Sequence, residues 1–175
     1  MSRPQPMQRL PVGVVVERRR SRNPWVDFVW RPVAALPGAP DTAPWTVLSD
    51  QSDTTTFYAG ALEVELYPTS AEYYRDNLAT GQPMLWVVLR PTEIEPPFEV
   101  IAVTADPNEG EAFTQAGNDL VEPVAMPASV REAVQSFVTA HDVGTTFFKR
   151  ERDQADPEAL ARRAPAAKRD DDERT

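Results

Sequence analysis

The chain has 175 residues, 41% of them hydrophobic, with 18 prolines, seven glycines, one histidine, no cysteine and a formal net charge of −9. That length and apolar content fit one domain with one core. The lack of cysteine excludes disulfides, thiolate zinc sites and iron–sulfur ligation by this chain, and no stretch approaches the roughly 18 apolar residues of a membrane span. Met1 to Arg9 is polar and proline-rich, unlike a signal peptide, so a soluble, cytoplasmic protein is expected. Charge is segregated along the chain. Residues 1–36 carry seven arginines against Glu17 and Asp27, a net of +5, while residues 37–144 set Arg75, Arg90 and Arg131 against seventeen carboxylates, a net of −14. Such a distribution steers and orients a partner; it does not dictate a fold.

Proline fixes φ and removes a backbone donor, so many short elements are expected. Val12, Val14 and Val16 alternate with Gly13, Val15 and Glu17, predicting a first strand over 10–17 with one buried face. A second strand, over 24–31, places Val26, Phe28 and Trp30 on one face, and Pro32 calls for a sheet edge or a bulge. Short strands follow at Trp45–Leu48, Thr54–Tyr58 and residues 61–67, where Leu62, Val64 and Leu66 point inward and Glu63 and Glu65 face water. Thr69-Ser70-Ala71-Glu72 fits a capping box opening a short helix through Ala71, Tyr74 and Leu78. Leu85–Leu89 is apolar on both faces and predicts a central strand, paired with Phe98–Val103 across the turn Pro91–Pro97. Asp106-Pro107 starts a second helix, weakened by Gly110, and a strand at Leu120–Val124 follows. From Pro127 to about His141, Val130, Ala133, Val134, Phe137 and Val138 form one apolar stripe that docks on the sheet.

This order predicts an α+β domain over residues 1–144: a curved, mainly antiparallel sheet or partial barrel capped by a C-terminal amphipathic helix. A pleckstrin-homology-like arrangement is consistent with it. Residues 145–175 balance eight basic against eight acidic side chains. Low hydrophobicity after Phe148 predicts an extended or disordered charged tail, with Phe147 and Phe148 either pinning it to the body or serving as a second candidate contact for a partner.

The residues for chemistry are mostly missing. Nucleophilic catalysis usually needs a histidine base, and His141 reads as a helix-end residue. Glu63 and Glu65 on one strand face, and the acidic run Asp170–Glu173, read as surface carboxylates rather than metal ligands. No glycine pattern forms a phosphate loop. No metal, no cofactor and no catalytic residue is therefore assigned. The sharpest local feature is Arg18, Arg19, Arg20 and Arg22, followed by Trp25 and Trp30. Such a cluster suits phosphate or a carboxylate-rich protein surface, and arginine with tryptophan is typical of interface hot spots. Nucleic acid fits poorly with a net charge of −9. The competing reading is a solvated hairpin turn between strands 10–17 and 24–31, or an internal neutraliser of the acidic body.

Pro11–Arg19, Trp25–Val33, Phe57–Gly60, Tyr74–Leu78, Leu85–Arg90 and Val103–Pro107, with Phe147–Arg150 and Asp156–Arg163 further on, resemble a bacterial family of unknown-function proteins. The resemblance covers about nine-tenths of the chain. It implies genes beside molybdenum-dependent formate dehydrogenases and their maturation factors, and some members are labelled molybdopterin-guanine dinucleotide biosynthesis proteins. No catalytic residue carries over. A nucleotide transferase of that kind would need a glycine-rich basic loop, and Val12–Arg18 holds one glycine. The leading expectation is a non-catalytic accessory protein or small subunit that binds the molybdoenzyme or a maturation protein. The alternative is a cofactor-maturation enzyme or carrier holding cofactor phosphates through the arginines.

Overall fold

A computed structural model describes residues 5–142 and 144. The chain opens with two long hairpins: β1 (Gln8–Arg20) with β2 (Phe28–Pro37), and β3 (Thr46–Gln51) with β4 (Thr54–Leu66). They merge into one antiparallel sheet of order β2-β1-β4-β3. The alternation of β1 does what its period demands, and Val12, Val14 and Val16 are fully buried. Pro32 meets both of its expected accommodations. Strand β2 lies at the sheet edge, and the register slips between Val15, opposite Ala34, and Val16, opposite Pro32, leaving Val33 as an extra residue. The strands expected at Thr54–Tyr58 and 61–67 are one. Val14 faces Gly60 and Val15 faces Tyr58, so Ala59 is a bulge, and the φ of +125° at Gly60 lets the chain bend there without breaking its ladder to β1.

Past Leu66 a 3-10 turn at Pro68–Ser70 leads into α1 (Ala71–Ala79). The expected capping box does not form. Ser70 makes no side-chain cap bond, and its amide instead donates to the Tyr67 carbonyl at 3.0 Å, closing the first turn by tighter backbone bonding. The second sheet has the order β6-β5-β7, from β5 (Met84–Pro91), β6 (Phe98–Thr104) and β7 (Leu120–Ala125). As its two apolar faces require, β5 is central. Leu85, Val87 and Leu89 enter the core, while Trp86 lies under α2 (Pro107–Gln115). A Cβ at Gly110 would fall 2.5 Å from Trp86 Cγ, so the glycine that weakens this helix by propensity is the one that lets it approach the sheet. Its N-terminus is capped as expected, the Asp106 carboxylate accepting from the Asn108 amide at 2.9 Å.

Helix α3 (Ala128–His141) buries Val130, Val134, Phe137 and Val138, and Phe137 meets Tyr74 of α1 edge-on at 6.0 Å. One continuous core joins these residues to Val12, Val14, Val16, Val64 and Leu66 of the first sheet and Leu85, Val87, Val103 and Val124 of the second. The α+β class therefore holds, antiparallel throughout, with an amphipathic helix closing the described body. Its strands divide between two open sheets. Strand β6 lies beside β4, and β7 beside β2, with no hydrogen-bonded ladder across either seam. No helix among the described residues is long and apolar enough to cross a membrane.

One buried polar side chain ties α1 to the second sheet. Asn77, 3% exposed, donates to the carbonyls of Met84 at 2.8 Å and Ala105 at 2.9 Å and accepts from the Met84 amide at 3.0 Å. Removing it strands backbone groups that water reaches poorly. Asn77→Ala should cost about 1–3 kcal/mol in urea unfolding, the range for buried unsatisfied groups; a change within error would show that water satisfies those groups.

At the far end of β5, Arg90 binds Asp119 through two bonds of 3.0 and 2.8 Å. The hydrogen bonds from Arg90 hold the Asp119 carboxyl below the usual aspartate range. Because the folded pKa is depressed, the contribution is present above the unfolded pKa and is lost as pH falls through the folded one. NMR titration of the Asp119 carboxyl should give a midpoint below that of an ordinary aspartate, and Arg90→Gln should return it toward that value.

Candidate functional site

The arginine run begins inside a strand. Arg18, Arg19 and Arg20 belong to β1, which continues to Arg20 because it has partners on both sides, Arg19 lying opposite both Val29 and Thr54. The turn expected from residue 18 onward is confined to Ser21–Asp27, and only Arg22 of the four lies in it. The pleat then divides the cluster.

Arg18 turns to the side of Trp30 and Thr55, its partners across the two ladders. Its guanidinium carbon sits 4.7 Å from the Phe28 ring centroid, 5.4 Å from Phe57 and 5.7 Å from Trp30. Nη2 donates to Thr55 Oγ1 at 3.2 Å, and that hydroxyl donates to Asp50 Oδ1 at 2.8 Å. Trp30 stacks on Phe57 at 5.6 Å and meets the edge of Trp45 at 6.2 Å and the tilted ring of Phe98 at 5.9 Å. Half-buried among these rings, Arg18 organises the base of the hairpin.

On the opposite face, Glu17 Oε1 accepts from Arg19 Nη2 at 3.1 Å and Arg31 Nε at 3.4 Å. Arg19, Arg20, Ser21, Arg22, Val29 and Arg31 line, with Glu17, a shallow cleft of about 350 Å³. Arg20 and Arg22 make no ion pair among the described residues. One carboxylate against four guanidiniums leaves a strongly positive concavity, the complement of a carboxylate or phosphate group.

Trp25 crowns the loop and is 90% exposed. Its position is fixed by local bonds: the Asn23 amide donates to Ser21 Oγ at 3.0 Å, the Trp25 amide to Asn23 Oδ1 at 3.0 Å, and the Val26 amide to the Asn23 carbonyl at 3.2 Å. The Ser21 amide donating to the Asp27 carbonyl at 2.9 Å closes the loop. Val26, Phe28 and Val29 are exposed around it. The hairpin therefore presents an ordered apolar crest beside arginines with no ion pair among the described residues, a composition suited to a protein interface.

Elsewhere the residues weighed for chemistry have ordinary partners. His141 ends α3 with its ring 4.4 Å from Phe137. Glu63 and Glu65 both face Arg9 Nε, at 3.6 and 3.5 Å. No group of three or more metal-ligating side chains gathers among the described residues. Phe147 and Phe148, and the tail that carries them, lie outside the described residues. What the sequence reading missed is the aromatic box around Arg18; the equal parity of Arg18, Phe28 and Trp30 along a hairpin was its only trace.

A family described as protein of unknown function (DUF3305) matches residues 11–152. The chain belongs to that family. No curated protein and no solved structure matches it. The matched DUF3305 segment takes in β1 from Pro11 onward, the arginine hairpin and every later strand of both sheets.

The two kinds of hairpin residue should separate in stability measurements. Trp25→Ala should leave the unfolding free energy within about 0.5 kcal/mol, as for other exposed positions. Arg18→Ala should lower it by about 1–2 kcal/mol through lost packing and cation–π contact. Equal effects would contradict the division of the cluster.

Proposed function

We propose that this protein is a cytoplasmic, non-catalytic accessory protein or small subunit whose β1–β2 hairpin docks on a carboxylate-rich surface of a partner. The partner proposed, on the resemblance given above, is a molybdenum-dependent formate dehydrogenase or one of its maturation proteins. The observation that carries the docking role is Trp25, 90% exposed on a loop held by its own hydrogen bonds and flanked by Arg20 and Arg22. A loop whose backbone is already held loses little freedom on binding, and arginines that make no ion pair among the described residues need none of those broken before they meet carboxylates.

A second reading has the arginine cleft holding the phosphates of a molybdopterin cofactor in transit. The four guanidiniums around the 350 Å³ cleft favour it; Glu17 at its floor, exposed apolar neighbours and the crest of Trp25 favour a protein surface. Binding of purified formate dehydrogenase and its maturation proteins, measured by biolayer interferometry over a range of salt, separates the two. Trp25→Ala should weaken the complex by about tenfold or more, as truncation of a hot-spot aromatic does. Arg19→Ser with Arg20→Ser and Arg22→Ser should slow association and flatten its salt dependence. Unchanged binding by both variants would overturn the docking role, and saturable binding of GTP or the pterin dinucleotide in place of protein would establish the second reading.

A further inference from the structure

A second surface, remote in composition from the hairpin, lies at the seam between the sheets. Strand β3 pairs with β4 only from Thr54 to Tyr58, so from Ala61 to Glu65 that edge of β4 makes no ladder among the described residues, its neighbour there being β6 without hydrogen-bonded pairing. Strand β6 is itself the end of its sheet, and its edge away from β5 is equally unpaired. Between them opens a cleft of about 470 Å³. Its lining is diagnostic. Ala61, Leu62 and Glu63 of β4 and the unbroken run Ile101–Thr104 of β6 border it. Because neighbouring side chains of a strand point to opposite faces, a cleft bordered by consecutive residues opens on the strand edges and their backbone groups, not on one face of a sheet. Phe113 adds an apolar wall, while Glu63, Glu65 and Glu109 supply carboxylates.

The charge at this seam is unbalanced. Arg9 is shared between Glu63 and Glu65 at 3.6 and 3.5 Å, and Glu109 takes a hydrogen bond from the Thr104 hydroxyl at 2.6 Å with no cation paired to it among the described residues. Three carboxylates against one guanidinium leave the cleft net negative. An unpaired edge with an apolar floor and acidic rim accepts an extended peptide whose side chains alternate between basic and small apolar, the backbone supplying affinity and the rim supplying selection.

We propose that the free edge of β4 from Ala61 to Glu65 is a β-augmentation site for a basic, extended segment of a partner protein. The segment runs along β4, donates and accepts the backbone bonds that β3 leaves unmade beyond Tyr58, and turns its lysines or arginines toward Glu63 and Glu65. This surface is independent of the arginine hairpin, so one chain bridges an acidic partner surface and a basic partner segment.

The test uses the full chain and a fluorescein-labelled short peptide alternating lysine and valine, read by anisotropy, with amide hydrogen exchange as the map. The expected result is saturable binding that slows exchange at Ala61–Glu65 and leaves Arg18–Arg31 unchanged. A glutamate–valine peptide, and the Glu63→Lys with Glu65→Lys variant, should each bind at least about tenfold more weakly, as reversal of apposed charges requires. The decisive control needs no protein variant. Peptides N-methylated on alternate amides exist in two forms, and the form methylated on the edge facing β4 should lose about tenfold or more through its missing hydrogen bonds while the other binds like the parent. No binding of the lysine–valine peptide, equal binding by both methylated forms, or protection at the hairpin in place of β4 would overturn the proposal.

Discussion

Strand β1 is the constraint from which the rest follows, because it is hydrogen-bonded on both sides over most of its length. Its pairs with β2 run from Val12 to Arg20, and those with β4 from Gln8 to Arg19. A strand held from both sides cannot slip, since a shift of one residue would carry Val12, Val14 and Val16 out of the core and bring arginine into it. The same pleat that buries three valines then sorts the arginines beyond them. Arg18 continues the buried parity into the aromatic box, and Arg19 takes the opposite face beside Glu17. Core formation and the placement of the candidate binding surface are one event in this sheet.

The boundary between core and hairpin is handled by a cation instead of a further hydrophobe. A leucine at position 18 would pack against Phe28, Trp30 and Phe57, but it would leave the Thr55 hydroxyl and Asp50 without their link to a positive charge. A lysine would supply charge without the flat guanidinium that lies over three rings at 4.7 to 5.7 Å. The chain can therefore carry aromatic side chains out to the end of the sheet, where the β1–β2 hairpin leaves it, and pack them there. The second sheet solves its own junction differently, with Asn77 satisfying three backbone groups where α1, β5 and the end of β6 meet.

Local signals in the sequence carried much of this architecture. The two-sided apolar run of β5, the stripe of α3, the Asp106-Pro107 cap and the disruption at Pro32 each follow from a few adjacent residues, and the structure keeps all four. What was illegible depends on partners far along the chain. Gly60 reads as a break between strands, yet with β1 alongside it becomes a bulge within one. The 3-10 turn after Pro68 pre-empts a capping box that Thr69–Glu72 spell correctly. Arg18 to Arg22 read as one cluster because proximity in sequence says nothing about which face a residue takes until the strand is known to extend through them. Asn77 shows no signal at all, being one polar residue in a polar helix, and the open edge of β4 depends on where β3 stops.

Charge segregation along the sequence has a definite structural form. An internal neutraliser would place the arginines against the acidic body in close pairs, and the structure shows few such pairs at the hairpin: Glu17 serves Arg19 and Arg31, Asp50 reaches Arg18 through Thr55, and Arg20 and Arg22 have none among the described residues. The seam between β4 and β6 shows the converse, with Glu63 and Glu65 sharing one guanidinium. Exposed pairs of this kind contribute little to folding, so satisfying them internally would have gained little stability. Unsatisfied among the described residues, such charges suit a role at encounter, where opposite poles on one body orient an approaching partner before any contact is made. In the proposed docking role the Trp25 crest would convert that orientation into buried apolar area, which is the term that charge alone cannot supply.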